Sequence, residues 1–169
     1  MKRALCLILA LVCCFTMTAL LASCNDESEA GGGDQASNNP FYVVYKGVKI
    51  ELDKSADDVL SKLGEAKYED NLGDCGGIGV QIKYTYDDIT VNTLKEKSGE
   101  KIHKISFVND IAATPKNISI GSTEDEVRDA YGQPSSYDDG RMVYKSGDLK
   151  LEFVIESGEV KSVNYVRVR

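Results

Sequence analysis

Residues 48–66 read VKIELDKSADDVLSKLGEA, and residues 116–134 read KNISIGSTEDEVRDAYGQP. Ile50 falls on Ile118, Leu52 on Ile120, Val59 on Val127 and Gly64 on Gly132, at a constant offset of 68. Self-similarity at a fixed period marks a duplicated structural unit. Each copy begins with alternating apolar residues suited to a strand. Ser55 or Thr123 then stands at a helix N-cap with Asp58 or Glu126 three positions on, the capping-box spacing in which two side chains satisfy two orphan amides. Glutamate suits that box better than aspartate, so the second copy carries the stronger version. Ala56, Val59, Leu60 and Leu63 keep helical spacing, as do Val127, Ala130 and Tyr131. Gly64 and Gly132 supply the left-handed residue that stops a helix.

Downstream of each helix the period changes from helical to two. Val80, Ile82, Tyr84 and Tyr86 alternate with polar residues, and Ile89, Val91 and Thr93 follow after Asp87-Asp88. In the second copy Met142 to Lys145 leads through Ser146-Gly147-Asp148 to Leu149, Leu151, Phe153 and Ile155. Ser98-Gly99-Glu100 precedes Ile105 to Val108, and Ser157-Gly158-Glu159 precedes Val163 to Val166. Such alternation, broken by turn residues, predicts antiparallel hairpins with one buried face. The expectation is an α+β fold of two tandem βαβββ repeats, 41–110 and 111–169, each a short helix on an antiparallel sheet. Units of about 60 residues are marginal alone, so the two are expected to pack together or share a sheet, with Asn109 to Pro115 as connector.

Upstream of the repeats the chain has a different character. Lys2 and Arg3 precede an apolar run that closes on Leu21-Ala22-Ser23-Cys24. A basic start, a hydrophobic stretch and small residues before cysteine read as a lipoprotein signal peptide over 1–23, with Cys24 lipidated. Two acyl chains on that cysteine would anchor stably where one is marginal. Residues 24–40 carry Gly31-Gly32-Gly33, several acids and little that is apolar, which is the composition of a flexible tether. The expected location is the extracytoplasmic face of the cell membrane, on a Gram-positive type of surface. Without residues 1–23 the chain has 18 basic and 27 acidic residues, a formal charge of −9. That balance repels nucleic acid and excludes it as a partner.

The helix ending in Gly-x-Ala or Gly-x-Pro, followed by meandering strands and a Gly-Glu turn, resembles the repeat of β-lactamase inhibitor protein. It is also similar to the fold of small outer-membrane assembly lipoproteins of the SmpA/OmlA type, and to exported Firmicutes lipoproteins of unknown function that carry the unit twice. The likeness runs over about residues 46–169, most specifically Ile118 to Val127 and Tyr131-Gly132-Gln133-Pro134. It implies a non-enzymatic module that binds proteins through its sheet face and loops. This chain departs in having Cys75 as the only cysteine after Cys24, so the disulfide in each repeat of the inhibitor has no counterpart.

Residues able to carry chemistry are few. His103 is the single histidine and stands at the start of a strand without an accompanying nucleophile motif, so it reads as an ordinary strand residue. Cys75 lies in Gly73-Asp74-Cys75-Gly76-Gly77-Ile78-Gly79, which lacks the lysine and hydroxyl ending of a phosphate loop and any adjacent cation to activate the thiol. Asp87-Asp88 and Asp138-Asp139-Gly140 do not have the alternate spacing of a calcium loop and read as turn chemistry. Asn117-Ile118-Ser119 matches a glycosylation sequon but overlaps the expected strand. No catalytic residue, metal site or cofactor is expected. Tyr84 and Tyr86 share a strand face with Tyr144 in the corresponding strand. Left uncovered, that face would make an aromatic protein interface; covered by the helices, it would be core. The expected function is therefore a lipid-anchored protein-binding module, with a structural factor in envelope assembly or a cell-wall enzyme as alternatives.

Overall fold

In the computed structural model, residues 39–74 and 76–168 are described. The expected signal segment, Cys24, most of the expected tether and Cys75 lie outside the described residues. Ten strands and two helices follow in the order β1 (Tyr42–Tyr45), β2 (Val48–Glu51), α1 (Ala56–Leu63), β3 (Tyr68–Asp74), β4 (Val80–Thr85), β5 (Ile89–Glu96) and β6 (Gly99–Phe107). Then come α2 (Glu124–Tyr131), β7 (Ser136–Asp138), β8 (Arg141–Ser146), β9 (Leu149–Glu156) and β10 (Glu159–Arg167). β1 and β2 form a separate hairpin, while the other eight make one antiparallel sheet in the order β3-β4-β5-β6-β10-β9-β8-β7. The α+β expectation holds at this level.

The sheet consists of two four-stranded meanders joined at their last strands. The joint is only three residue pairs long: Lys104 opposite Val166, Ile105 opposite Tyr165, and Ser106 opposite Asn164. Because the strand offset here is 60, Ile105 and Tyr165 are equivalent to one another, and the outer two pairs exchange under the same offset. The register is thus symmetric about the Ile105–Tyr165 pair. The segment before each helix is held in the same way in both halves. Asp53 N–H donates to the Ile102 carbonyl and Ile102 N–H to that of Lys54, just as Gly121 N–H donates to Val160 and Val160 N–H to Ser122.

Three expectations need correction. Each helix is followed by four strands rather than three, since β3 and β7 join the outer edges. The segment holding Ile118 and Ile120 is a turn with isolated bridges rather than a strand. Its first-half counterpart, β2, is a strand because β1 pairs with it; the second half has no such partner, and Thr114 instead folds the segment back, its N–H donating to the Ile118 carbonyl and its hydroxyl accepting from the Ile118 amide. Finally, Ser55 makes no side-chain cap. The Asp58 carboxylate is engaged by Lys62 at 2.8 Å instead of the Ser55 amide, and it is one methylene shorter than the glutamate of a full box. At α2 the box is complete: Glu126 N–H donates to Thr123 Oγ1 and Thr123 N–H to Glu126 Oε2.

A single apolar layer fills the space between the sheet and the elements on it. Val43, Tyr45, Ile50 and Leu52 of the hairpin, Val59 and Leu63 of α1, and Val127 of α2 all pack with one alternating phase of the strands: Ile89, Val91, Ile105, Phe107, Met142, Leu151, Phe153, Val163 and Tyr165. Both helices and the hairpin therefore lie on the same face.

Candidate binding face

The tyrosines come first, because they decide which face can meet a partner. Cross-strand pairing puts Tyr84, Val91, Ile105, Tyr165, Leu151 and Tyr144 in one row across the sheet. This is the covered face. Tyr86 is 4% and Tyr144 6% exposed. Their hydroxyls donate to the carbonyls of Gly64 and Gly132 at the helix ends, at 3.4 and 3.0 Å. Tyr131 and Phe153 pack against Tyr144, with centroids 5.3 and 6.0 Å away. Tyr84 is half-buried, and burial, with the Glu100 carboxylate 3.4 Å from its hydroxyl, pushes its pKa up to about 12. The aromatic interface expected of Tyr84, Tyr86 and Tyr144 is not formed, because these rings are the floor on which the helices sit.

The other phase of the same strands forms the opposite face, which neither helix nor the β1–β2 hairpin covers. One row across it reads Asp70, Lys83, Asn92, Lys104, Val166, Lys150, Lys145, from β3 to β8. Four lysines share this row in a chain whose net charge is −7. Lys83 is paired with Asp70 at 3.0 Å. Among the described residues Lys104, Lys145 and Lys150 have no ion-pair partner, and Lys145 lies directly opposite Lys150. Like charges placed opposite one another are unfavourable in a sheet. From Lys83 to Lys145 the row crosses five strand spacings, about 24 Å.

The neighbouring row is polar and internally bonded. It runs Thr85, Thr90, Ser106, Asn164, Glu152, Val143. Ser106 Oγ donates to Asn164 Oδ1 at 2.7 Å, Asn164 Nδ2 to Ser162 Oγ at 2.8 Å, and Arg141 to Glu152 Oε1 at 2.7 Å.

On the other side of the lysine row the face dips into a hollow of 260 Å³ lined by Ile78, Gln81, Leu94, His103, Lys150 and Val166, with Arg167 and Val168. Two local departures from regular sheet build it. His103 is the extra residue of a β-bulge, since Asn92 pairs with Lys104 and Thr93 with Ile102. The β3–β4 hairpin reaches over Leu94 and brings Ile78, 44% exposed, to the rim. That close approach depends on Gly79, where a Cβ would stand 2.5 Å from the Lys95 carbonyl oxygen.

Asp139 and Gly140, both at positive φ, are the two-residue turn between β7 and β8. Asp87 accepts from Lys46 and Lys67, and the Lys67 hydrogen bond holds its carboxyl below the usual range. Asn117 is exposed at positive φ in the turn closed by Thr114. No group of three or more His, Cys, Asp or Glu able to hold a metal occurs among the described residues. The lysine row escaped sequence reasoning because its members are scattered from 83 to 150. Its signal was the polar phase of the alternation: Lys83, Lys104 and Lys150 each precede a core residue, and Lys145 follows one.

No curated protein and no solved structure matches the chain. Residues 43–169, which span the hairpin, both helices and the whole eight-stranded sheet, match the model for Domain of unknown function (DUF4309), and the chain belongs to that family.

Proposed function

We propose that the protein is a lipid-anchored extracytoplasmic binding module, not an enzyme, and that it holds a protein partner on the open face of its sheet. The observation carrying this reading is the one-sided layering. Eight strands are covered on one face by both helices and the hairpin, while the other keeps a basic row, a bonded polar row and an apolar hollow side by side. A surface that sets an apolar hollow beside fixed polar groups combines the two elements of a protein interface. The anchor rests on Leu21-Ala22-Ser23-Cys24 and the tether on the residues after it. We further read the two halves as descendants of one duplicated unit, a helix and its meander. The offset of 68 at the helices and the symmetric register at Ile105–Tyr165 support this, as does the likeness to the β-lactamase inhibitor and SmpA/OmlA-type repeats.

A photo-crosslinking amino acid at Asn92, on the open face, tests the proposal in cells against the same probe at Lys62 on α1. The expected result is a saturable protein adduct from position 92 alone, weakened in a Cys24→Ala variant that cannot be anchored. Absence of an adduct at 92, or equal adducts from both positions, would sink the open-face reading.

A further inference from the structure

We infer that the partner presents to this face an acidic polypeptide segment with a bulky apolar side chain among its carboxylates; the inference rests on the open-face reading above and adds the chemistry of what is bound. Three observations converge. The first is charge. The open face concentrates Lys83, Lys104, Lys145 and Lys150 in one row of a chain that is acidic overall, and three of the four have no ion-pair partner among the described residues. Keeping Lys145 opposite Lys150 disfavours the sheet itself, a strain that an anion lying across the row would relieve.

The second is the hollow. Its apolar surface comes from Ile78, Val166 and Val168 around the buried Leu94, and Lys150 belongs to both the hollow and the lysine row. Val166 does too: it sits between Lys104 and Lys150 in register. An occupant of the whole surface must therefore offer an apolar group within one strand spacing of its negative charges. A phosphate polymer offers only polar groups at that distance, whereas an acidic peptide with one Tyr, Phe or Leu offers both. The third is the origin of the hollow in the β3–β4 hairpin, which is longer than its counterpart β7–β8 by an added tip that includes Ile78 and Gly79. The lysines and the walls of the hollow are shared between the halves, but the tip that brings Ile78 to its rim has no counterpart in the second half. Anchoring in a single off-centre pocket gives the bound segment one direction along the row.

Fluorescence anisotropy of the full-length protein in detergent, with labelled polyglutamate and a labelled random copolymer of glutamate and tyrosine, tests the inference. The copolymer is expected to bind at least tenfold more tightly than polyglutamate, and more weakly as salt rises. The double variant Lys104→Glu/Lys150→Glu should lose at least tenfold, and Lys62→Glu on the opposite face should lose nothing. Ile78→Asp, at an exposed rim position, should erase the preference for the copolymer while leaving polyglutamate binding in place. Lys104→Gln/Lys150→Gln, with an unchanged melting temperature, repeats the test without charge reversal. Sodium polyphosphate competing as well as the copolymer at equal charge would overturn the inference in favour of a phosphate polymer. Binding that ignores the lysine variants would overturn it outright, as would no binding. If the adduct at position 92 forms in cells equally with Lys104→Glu/Lys150→Glu, the open-face reading stands and the acidic segment fails; loss of the wild-type adduct fails the open-face reading itself.

Discussion

In both halves of the sheet a tyrosine hydroxyl reaches the carbonyl of the glycine that ends the helix, yet the two tyrosines are not in equivalent positions. Tyr144 lies within β8, opposite Leu151; the residue opposite the matching Val91 in the first half is Tyr84, whose hydroxyl turns to Glu100. The helix contact there is made by Tyr86, just past the end of β4. The halves are offset by 68 at the helices and by 60 at the later strands, so the first half carries eight more residues in between, in β3, its loop and the connection to β5. The longer hairpin goes with a different position of the strand relative to the helix, and an aromatic of the same phase two residues on makes the contact. The contact was kept and its sequence position was not. A second difference lies two residues further along the core face. Phe153 packs against Tyr131 and Tyr144 in one half, while Thr93, equally buried, donates to Glu100 in the other.

The largest test of this contrast is in the core. Phe153→Ala should lower unfolding free energy by about 3–5 kcal/mol, as for other buried aromatic truncations. Thr93→Ala at the matching place should cost about 1.5–3 kcal/mol, the cost of a lost hydrogen bond to a carboxylate. Urea unfolding of both decides whether the second half is the better packed. Equal losses would remove the distinction.

The helix-end contacts come next. Tyr144→Phe should cost about 1 kcal/mol and Tyr86→Phe less, in keeping with bonds of 3.0 and 3.4 Å. A larger effect at Tyr86 in thermal melts would mean that the displaced contact is the stronger one.

At the helix starts, Thr123→Ala should cost about 1 kcal/mol because it opens a complete capping box. Ser55→Ala should change little, since that side chain bonds to no helix amide. Loss of comparable stability at both sites would show that the Ser55 cap forms in solution.

The smallest effect is on pH. Hydrogen bonds from Arg128 and from Tyr137 hold Glu124 below the usual carboxylate range, and those from the Thr123 amide and hydroxyl do the same for Glu126. A folded-state pKa below the unfolded value gives stability that is complete above the ordinary carboxylate pKa and is lost as pH falls through the folded one. Glu126 is exposed and Glu124 only partly covered, so the slope in stability between about pH 5 and 3 should be shallow. It should be shallower still in Thr123→Ala, and an unchanged slope would count against the box as its source.

The parts of this fold legible in the sequence are those where local chemistry and core phase agree. α2 announces itself through Thr123, Glu126 and Gly132, and β5, β6, β9 and β10 through regular alternation. β3 and β7 were missed because they are edge strands: YEDNLGD and SYD are almost wholly exposed, and charged, short edges show no apolar phase. Ile118 carried a strand-like signal from burial alone, which a turn satisfies equally well. The same alternation that located the core also held the open face, as its complement. Reading charge along that second phase brings Lys83, Lys104, Lys145 and Lys150 into view, but only strand register puts them in one line.

The three-pair joint at Ile105–Tyr165 bears on how the molecule is made. β10 is the last strand in sequence, yet it takes a central place, and β6 has no other neighbour on that side beyond the short pairing with residues 53–55. A chain emerging N-terminus first therefore completes its first meander long before the strand that closes it arrives. Through that interval the part of β6 beyond its pairing with residues 53–55 is an open edge for any other extended chain nearby, and only the arrival of β10 closes it.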